Sequence, residues 1–401
     1  MGNWQSSRTR WLFTFLALFG LVLAAACGGS GNNNSPAPPA SGISGAAATV
    51  QPAPPDQQVL RLRLQGEPKT IDPQVSSVIN EASLMKPLFA GLFTYDQGLN
   101  IVASVAKQVP TVENGGISAD GKTYTIQLVE DAKWSDGKPL TAGDFVYSMQ
   151  RELDPATAGP YASFFYAIAG AKDYNKAMGT KTDPKTPSDA DLASLRSAIG
   201  VSAQGDHTLV YQLAQPDPSF LDLLASWAAY PVRQDVIDKY GATWTEPGNI
   251  VSDGPYVLSQ WDHNSRIVYT PNASWFGTAP KLTRIEVNFI ADDAAAYAAY
   301  LAGELDSVTV PSSAIKEVTA PGSDLSKQLT ITPDLRTYAL FMNNKSAPFD
   351  NKLVRQAFGT AIDRQAYVDG VLQGAGVPTT SWVPPGMPGY DKDLGTQYSF
   401  D

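Results

Sequence analysis

Short stretches in which apolar and polar residues alternate predict β-strands along much of the chain. Residues 59–64 read VLRLRL, the pattern of a strand with one buried face. Residues 124–128 (YTIQL) and 209–213 (LVYQL) alternate in the same way. Residues 256–260 and 267–270 flank the polar stretch WDHNSR and therefore predict a hairpin.

Other stretches repeat apolar residues every three or four positions, which predicts helices. Residues 142–153 do so, and Thr141 with Asp144 three residues later forms a variant of the N-terminal capping box. The alanine-rich residues 292–303 predict another helix. Residues 351–372 predict one long amphipathic helix, because their apolar residues share one face and a glycine follows as a stop. Strands and helices are interspersed without a regular βαβ order, so the pattern predicts a mixed α and β fold.

The first 27 residues have the pattern of an export signal. Arg8 and Arg10 precede residues 11–26, an uncharged apolar stretch that ends in alanines. The stretch is shorter than a typical transmembrane helix. Cys27, the only cysteine of the chain, follows at once. Residues 23–27 (LAAAC) resemble a bacterial lipobox, in which the cysteine is acylated and becomes the new N-terminus. The alternative is an ordinary signal peptide that happens to precede a cysteine.

Residues 28–56 predict a disordered tether. The segment is rich in Gly, Ser, Asn, Pro and Ala, and up to residue 55 it carries no charge. It has almost no large apolar side chain and therefore cannot form a core. A tether between an acylated cysteine and a folded body would hold that body at a membrane surface and let it reorient.

Composition limits the chemistry of the folded body. The 401 residues are 43% hydrophobic and 17% charged, which is typical of globular proteins, and the length fits two or three domains. The 39 acidic and 29 basic residues give a net charge of -10. An acidic surface repels phosphate backbones, so no nucleic-acid partner is expected. One cysteine and two histidines leave little for a metal site or a Ser-His-Asp triad, and neither a metal nor a cofactor is expected.

One phosphate-binding motif is present, and its context argues against that function. Residues 116–123 (GISADGKT) match GxxxxGK[ST], a motif that requires a helix directly after the loop. Here the predicted strand 124–128 follows, so Asp120 and Gly121 are predicted to form a hairpin turn. No GxSxG, HExxH or CxxC motif occurs, and no carboxylate pair stands out. The sequence therefore does not indicate an enzyme.

Eight blocks of sequence carry a resemblance to a known family. They are residues 66–74, 88–96, 124–151, 154–164, 249–261, 272–276, 347–364 and 374–391. Their order and spacing resemble the dipeptide, oligopeptide and nickel substrate-binding family of ABC importers, and most closely its oligopeptide-binding type. The resemblance extends over residues 57–401.

The resemblance implies a periplasmic-binding-protein-like fold, α/β with mixed sheets, in which two lobes clasp a ligand. It assigns residues 57–71 and 154–290 to the first lobe and residues 72–153 to an extra small domain. Residues 291–401 would begin the second lobe. Relatives continue beyond the position of Asp401, so we expect a C-terminally truncated chain. Its second lobe would be incomplete and would lack the family's acidic partner for the peptide amine.

The function that the resemblance implies is that of a receptor without catalytic activity. It would capture oligopeptides between its lobes and deliver them to an ABC permease with its ATPase subunits. The third expected partner is the lipid bilayer, through acylated Cys27, on the outer face of the bacterial cell membrane, in the periplasmic space or at the cell surface. One alternative is a related receptor for another solute, such as an oligosaccharide, on which aromatic side chains can stack. Another is a surface lipoprotein hydrolase.

The resemblance also assigns candidate ligand-binding residues. Ser77, Val78 and Ile79 follow the TIDP turn, where relatives contact the peptide largely through their backbone. Ser77 replaces an acidic residue of the family, so a side-chain contact is not expected there. Backbone pairing needs no particular side chain and is therefore the expected contact. Tyr161 matches a ligand-contacting tyrosine, and a role in the hinge or the core is the alternative. Tyr338 matches an aromatic residue near the cleft.

Overall fold

The computed structural model describes residues 54, 58–179, 182–331, 335–387 and 389–401. The predicted signal segment with Cys27, and the predicted tether except residue 54, lie outside the described residues. The strands are β1 (Val59–Leu64), β2 (Phe93–Tyr95), β3 (Ile101–Ala103), β4 (Thr123–Gln127), β5 (Val201–Ala203), β6 (Thr208–Gln212), β7 (Tyr256–Asp262), β8 (Arg266–Pro271) and β9 (Arg284–Phe289).

Helices connect these strands, and the regular elements described after β9 are all helices. The α-helices are α1 (Ile79–Met85), α2 (Ala142–Glu152), α3 (Ala171–Asn175), α4 (Asp189–Ser197), α5 (Phe220–Leu224), α6 (Gln234–Tyr240), α7 (Asp293–Leu301), α8 (Ile315–Val318), α9 (Lys352–Thr360) and α10 (Arg364–Gly370). Short 3-10 helices lie at Ala162–Phe165, Trp227–Ala229, Gly241–Thr243, Ser312–Ala314, Asp324–Lys327 and Thr396–Tyr398. Within the described ranges, no helix has the length and apolar character needed to cross a membrane.

The described strands form three sheets. The largest has the order β1-β9-β8-β7, in which β1 runs parallel to β9 and the other neighbours are antiparallel. A second, antiparallel sheet has the order β4-β6-β5, and β2 pairs with β3. The predicted strands at 59–64, 124–128 and 209–213 and the predicted hairpin of β7 and β8 are therefore confirmed, within a residue or two at their ends.

The predicted capping box at the start of α2 is confirmed. The backbone N–H of Thr141 donates to Asp144 Oδ2 at 2.8 Å, and the Thr141 hydroxyl donates to the same oxygen at 3.0 Å. The helix then buries Phe145 and Met149 on one face. The predicted helix at 292–303 is confirmed as α7, which Asp292 caps.

The prediction of one helix over 351–372 is wrong. The segment forms two helices, α9 and α10, which are separated at residues 361–363. Asp363 Oδ1 accepts a 2.9 Å hydrogen bond from the Ala366 N–H and so caps a new helix. Apolar residues continue at helical spacing across the break, so their pattern alone could not reveal it.

The GxxxxGK[ST] motif forms the predicted turn. The Gly121 N–H donates to the Ser118 carbonyl at 2.8 Å, and the Ser118 N–H donates to the Thr123 carbonyl at 2.9 Å. Strand β4 follows directly. The loop therefore does not place a helix N-terminus where a phosphate could bind.

In the described part of the chain, most buried hydrophobic residues belong to two clusters. The first is built from residues between 90 and 229 and includes Trp134 and Phe220. The second joins residues 71–89 to residues 230–287 and includes the fully buried Tyr269. Residues on both sides of the predicted boundary at 153 and 154 contribute to the first cluster. The division into lobes stays a prediction.

Candidate functional site

Two of the segments predicted to contact a ligand lie together. The Tyr161 hydroxyl donates a 3.0 Å hydrogen bond to the Ser77 backbone carbonyl, although the two residues are 84 positions apart. Ser77, Val78 and Ile79 are all exposed. The structure thus places an exposed loop beside Tyr161, while the role of these residues in binding stays a prediction.

An aromatic group surrounds Tyr161. Its ring lies edge-to-face against Trp227, with centroids 5.3 Å apart, and 5.6 Å from the ring of Phe164. Tyr161 is half-buried and Phe164 is exposed. Because the Tyr161 hydroxyl already donates to Ser77, the tyrosine can offer a ligand its partly exposed ring and its hydroxyl oxygen as an acceptor.

Phe164 and Trp227 were not among the residues assigned from the sequence. Phe164 lies in the block 154–164 and could have been found as the next exposed aromatic residue after Tyr161. Trp227 had no such signal, because it reaches Tyr161 only through the folding of a distant segment.

A buried ion pair fixes the turn that leads into residues 77–79. The guanidinium of Arg151, at the end of α2, binds both carboxylate oxygens of Asp72 at 2.7 and 2.6 Å. The Trp244 indole N–H donates to the same carboxylate at 3.1 Å. Burial alone would lower the pKa of Arg151, but the hydrogen bond and the charge of Asp72 outweigh burial and raise it. Arg151 therefore keeps its charge, and its two hydrogen bonds to Asp72 tie the turn to α2.

Further hydrogen bonds hold the same loop on both sides. The buried Gln74 donates to the Tyr230 carbonyl at 3.0 Å and accepts from Arg151 at 2.7 Å. The buried Glu81 accepts from the Ser76 hydroxyl at 2.8 Å. The exposed loop therefore rests on a fixed base, which is the arrangement needed for binding through backbone groups.

The described residues around Val78 leave backbone donors open. Val78 has an extended conformation, with φ -129° and ψ 144°. In the described part of the chain, the N–H groups of Ser77 and Val78 donate to no protein acceptor. Extended backbone with open N–H groups can pair with the carbonyl groups of another extended chain.

A buried carboxyl group lies beneath the Tyr161 loop. Glu152, the last residue of α2, is 0% exposed. Burial, followed by the charge of Asp72, raises the pKa of Glu152 to about 9, although Arg151 and the Tyr161 amide favour the charged form. At neutral pH this carboxyl group is therefore protonated.

Tyr338 lies apart from these residues. Its side chain is 83% exposed, and the Arg336 guanidinium lies over its ring at 5.9 Å. Among the described residues, no hydrogen bond or ring contact joins Tyr338 to Tyr161 or to residues 77–79. Its predicted place near the ligand stays a prediction.

The described residues contain no group of three or more His, Cys, Asp or Glu side chains arranged to hold a metal ion. A cavity of about 400 Å³ lies along β1 and β9 and is lined in part by Arg61, Glu286 and Asn288. None of the candidate ligand-binding residues lines it.

Comparisons with known proteins agree with this architecture. The sequence model of bacterial extracellular solute-binding proteins, family 5 (Middle), matches residues 101–401. The periplasmic oligopeptide-binding protein OppA of Escherichia coli K12 is 32% identical over 333 residues, which cover 82% of this chain and 57% of OppA.

Solved structures are similar over the same region. The Escherichia coli murein tripeptide binding protein MppA superposes with a TM-score of 0.71 and 30% identity, over 83% of this chain and 61% of MppA. Haemophilus influenzae OppA in complex with RPPGFSPFR gives a TM-score of 0.68 and 29% identity, over 82% and 60% of the two chains. The predicted fold class is confirmed. The chain spans less than two thirds of the length of each of these relatives.

Proposed function

Because this chain belongs to the bacterial extracellular solute-binding proteins of family 5, we propose that it is the receptor of a peptide ABC importer. It captures oligopeptides and delivers them to a membrane permease and its ATPase subunits. The observation that carries the proposal is the hydrogen bond between Tyr161 and Ser77, which unites two segments predicted to contact the peptide. Relatives named for oligopeptide binding, one of them solved with RPPGFSPFR, support it.

The chemistry of the site suits a peptide main chain. The open N–H groups of Ser77 and Val78 can donate to peptide carbonyl groups without regard to sequence. The rings of Tyr161 and Phe164 offer apolar surface for a side chain of the ligand. Their combination supports binding of many peptides through the backbone, with a contribution from one apolar contact.

The first test is binding itself. The purified protein is titrated with RPPGFSPFR and with a synthetic mixture of peptides of two to nine residues, and bound species are identified by native mass spectrometry. Parallel incubations with peptide and glycoside substrates measure turnover, and oligosaccharides are titrated as a third class. We expect peptide binding without turnover. Turnover would favour a hydrolase, and binding of oligosaccharides alone would favour a different solute receptor.

Replacing Tyr161 by alanine should weaken peptide binding about 10- to 100-fold, or about 1–3 kcal/mol, because a central aromatic contact is lost. Tyr161→Phe keeps the ring and loses only the bond to Ser77, so its loss should be smaller. Tyr95→Ala is the matched control, because Tyr95 is an exposed tyrosine whose hydroxyl donates to Asp222 at 2.9 Å. If calorimetry gives equal peptide affinities for Tyr161→Ala and Tyr95→Ala, Tyr161 is not part of the binding site.

We further propose that Cys27 is acylated and holds the protein at the outer face of the cell membrane. The supporting observation is the apolar stretch that ends at the only cysteine. Stable anchoring needs two or more acyl chains, which a diacylated cysteine supplies. Cys27→Ser should therefore accumulate as unprocessed precursor or appear in the soluble fraction. A variant that migrates and fractionates like the parent would show that Cys27 is not the anchor.

A further inference from the structure

Glu152 is positioned to act on the loop that carries Tyr161. It is the last residue of α2, its side chain has no solvent exposure, and in the described part of the chain neither carboxyl oxygen has a hydrogen-bond partner. A buried carboxyl group without such partners carries a cost in stability, so its presence at this position needs a physical reason.

The carboxyl group packs directly against the loop backbone. A Cβ atom at Gly159 would lie 2.7 Å from Glu152 Oε1 and 2.7 Å from the Glu152 carbonyl oxygen. No real side chain fits at these distances, so only glycine allows the loop to approach so closely. Gly159 precedes Tyr161 by two residues, and the Tyr161 N–H lies near enough to the same carboxyl group to favour its charged form, although it makes no hydrogen bond of ordinary geometry.

We propose that Glu152 is a positioning residue which fills the space beneath the Gly159–Tyr161 loop and holds Tyr161 against Ser77. It does not touch the ligand, because its side chain is fully buried. Its effect on peptide affinity rests on the proposed function of the Tyr161 site. Its effect on the conformation of the loop is independent of that function.

The protonation state supplies the means of testing this role. Asp72, from the turn after β1, and Arg151, on α2, are the charged groups that act on Glu152. Burial and Asp72 prevail and raise the pKa of Glu152 to about 9, from an ordinary value of 4.5. The folded protein therefore keeps a proton that the unfolded chain releases, and the stability linked to that proton is complete below pH 4.5 and decreases as the pH rises from 4.5 to about 9. Above that pH the buried charge requires hydration, which the loop can provide only by moving.

Peptide affinity is measured from pH 7 to pH 10 for the wild-type protein, Glu152→Gln and Glu130→Gln. If only the neutral form holds Tyr161 in place, a pKa of about 9 lowers wild-type affinity about 10-fold at pH 10 relative to pH 7. Glutamine has nearly the same shape as glutamic acid and cannot ionise. The peptide affinity of Glu152→Gln should therefore match that of the wild type at pH 7 and fall less than that of the wild type by pH 10. Any other group that titrates in this range affects both proteins equally. Glu130→Gln, at an exposed position, should follow the wild type.

A second measurement does not depend on peptide. Amide hydrogen exchange of residues 157–161, corrected for intrinsic pH dependence, should show protection that decreases from pH 7 to pH 9.5 in the wild type and stays constant in Glu152→Gln and Glu152→Leu. Absence of peptide binding in every variant would refute the proposed function, and the exchange data would still decide the role of Glu152. Equal pH dependence of exchange in the wild type and Glu152→Gln would overturn the inference.

Discussion

Arg151→Met should lower the free energy of unfolding by about 3–5 kcal/mol, the loss typical of removing one partner from a buried ion pair. Methionine preserves much of the side-chain volume, so the loss comes from Asp72, which would remain buried without its cation. Among the described residues, the Trp244 indole N–H and the Gln74 backbone N–H would still donate to its carboxylate. Unfolding in urea, followed by tryptophan fluorescence and by circular dichroism, measures the effect.

The matched control is an ion pair of similar length at the surface. Lys107 Nζ and Glu130 Oε1 are 2.7 Å apart, and both side chains are exposed. Because water screens this pair, Lys107→Met should leave the urea midpoint nearly unchanged. The double variant Asp72→Asn with Arg151→Met removes the orphaned charge and should recover part of the lost stability. Equal midpoints for Arg151→Met and Lys107→Met would contradict the role assigned to the Asp72–Arg151 pair.

The elements that the sequence predicts correctly are those set by local rules. The alternation in VLRLRL and the capping residues Thr141 and Asp144 act within a few positions, so β1 and α2 form as expected. The break before α10 depends on the cap at Asp363. Here two local signals compete, and the apolar periodicity conceals the cap.

The contacts of the candidate site, in contrast, depend on tertiary packing rather than on local patterns. The resemblance named Tyr161 and Ser77 separately, but their hydrogen bond depends on how two distant segments pack. Glu152 gave no signal, because a glutamate at the end of an amphipathic helix is ordinarily solvated. Its burial arises only when the loop at Gly159 folds over it. Tertiary packing of this kind is not encoded in any short pattern.

Gly254→Ala should destabilise the fold by about 3 kcal/mol or more, at the upper end of the cost of overpacking a core. A Cβ atom there would lie 2.5 Å from the Leu88 carbonyl carbon and 2.7 Å from the Phe89 nitrogen. These are backbone atoms in the second hydrophobic cluster, so they cannot move aside as the tip of a side chain could. The Gly254 N–H also donates to the Leu88 carbonyl at 2.7 Å, and the clash would strain this link between the loop before β7 and the segment after α1.

Gly66→Ala is the control for this substitution. Gly66 follows β1, and a Cβ atom there would meet no atom within 4 Å. The added methyl group should therefore be neutral or stabilise the protein by about 0.4–1 kcal/mol, because it restricts the unfolded chain. The two variants make the same chemical change, so the difference between their urea midpoints isolates the packing against Leu88 and Phe89. If Gly254→Ala unfolds at the same midpoint as Gly66→Ala, the close approach of these two segments is not a feature of the folded protein.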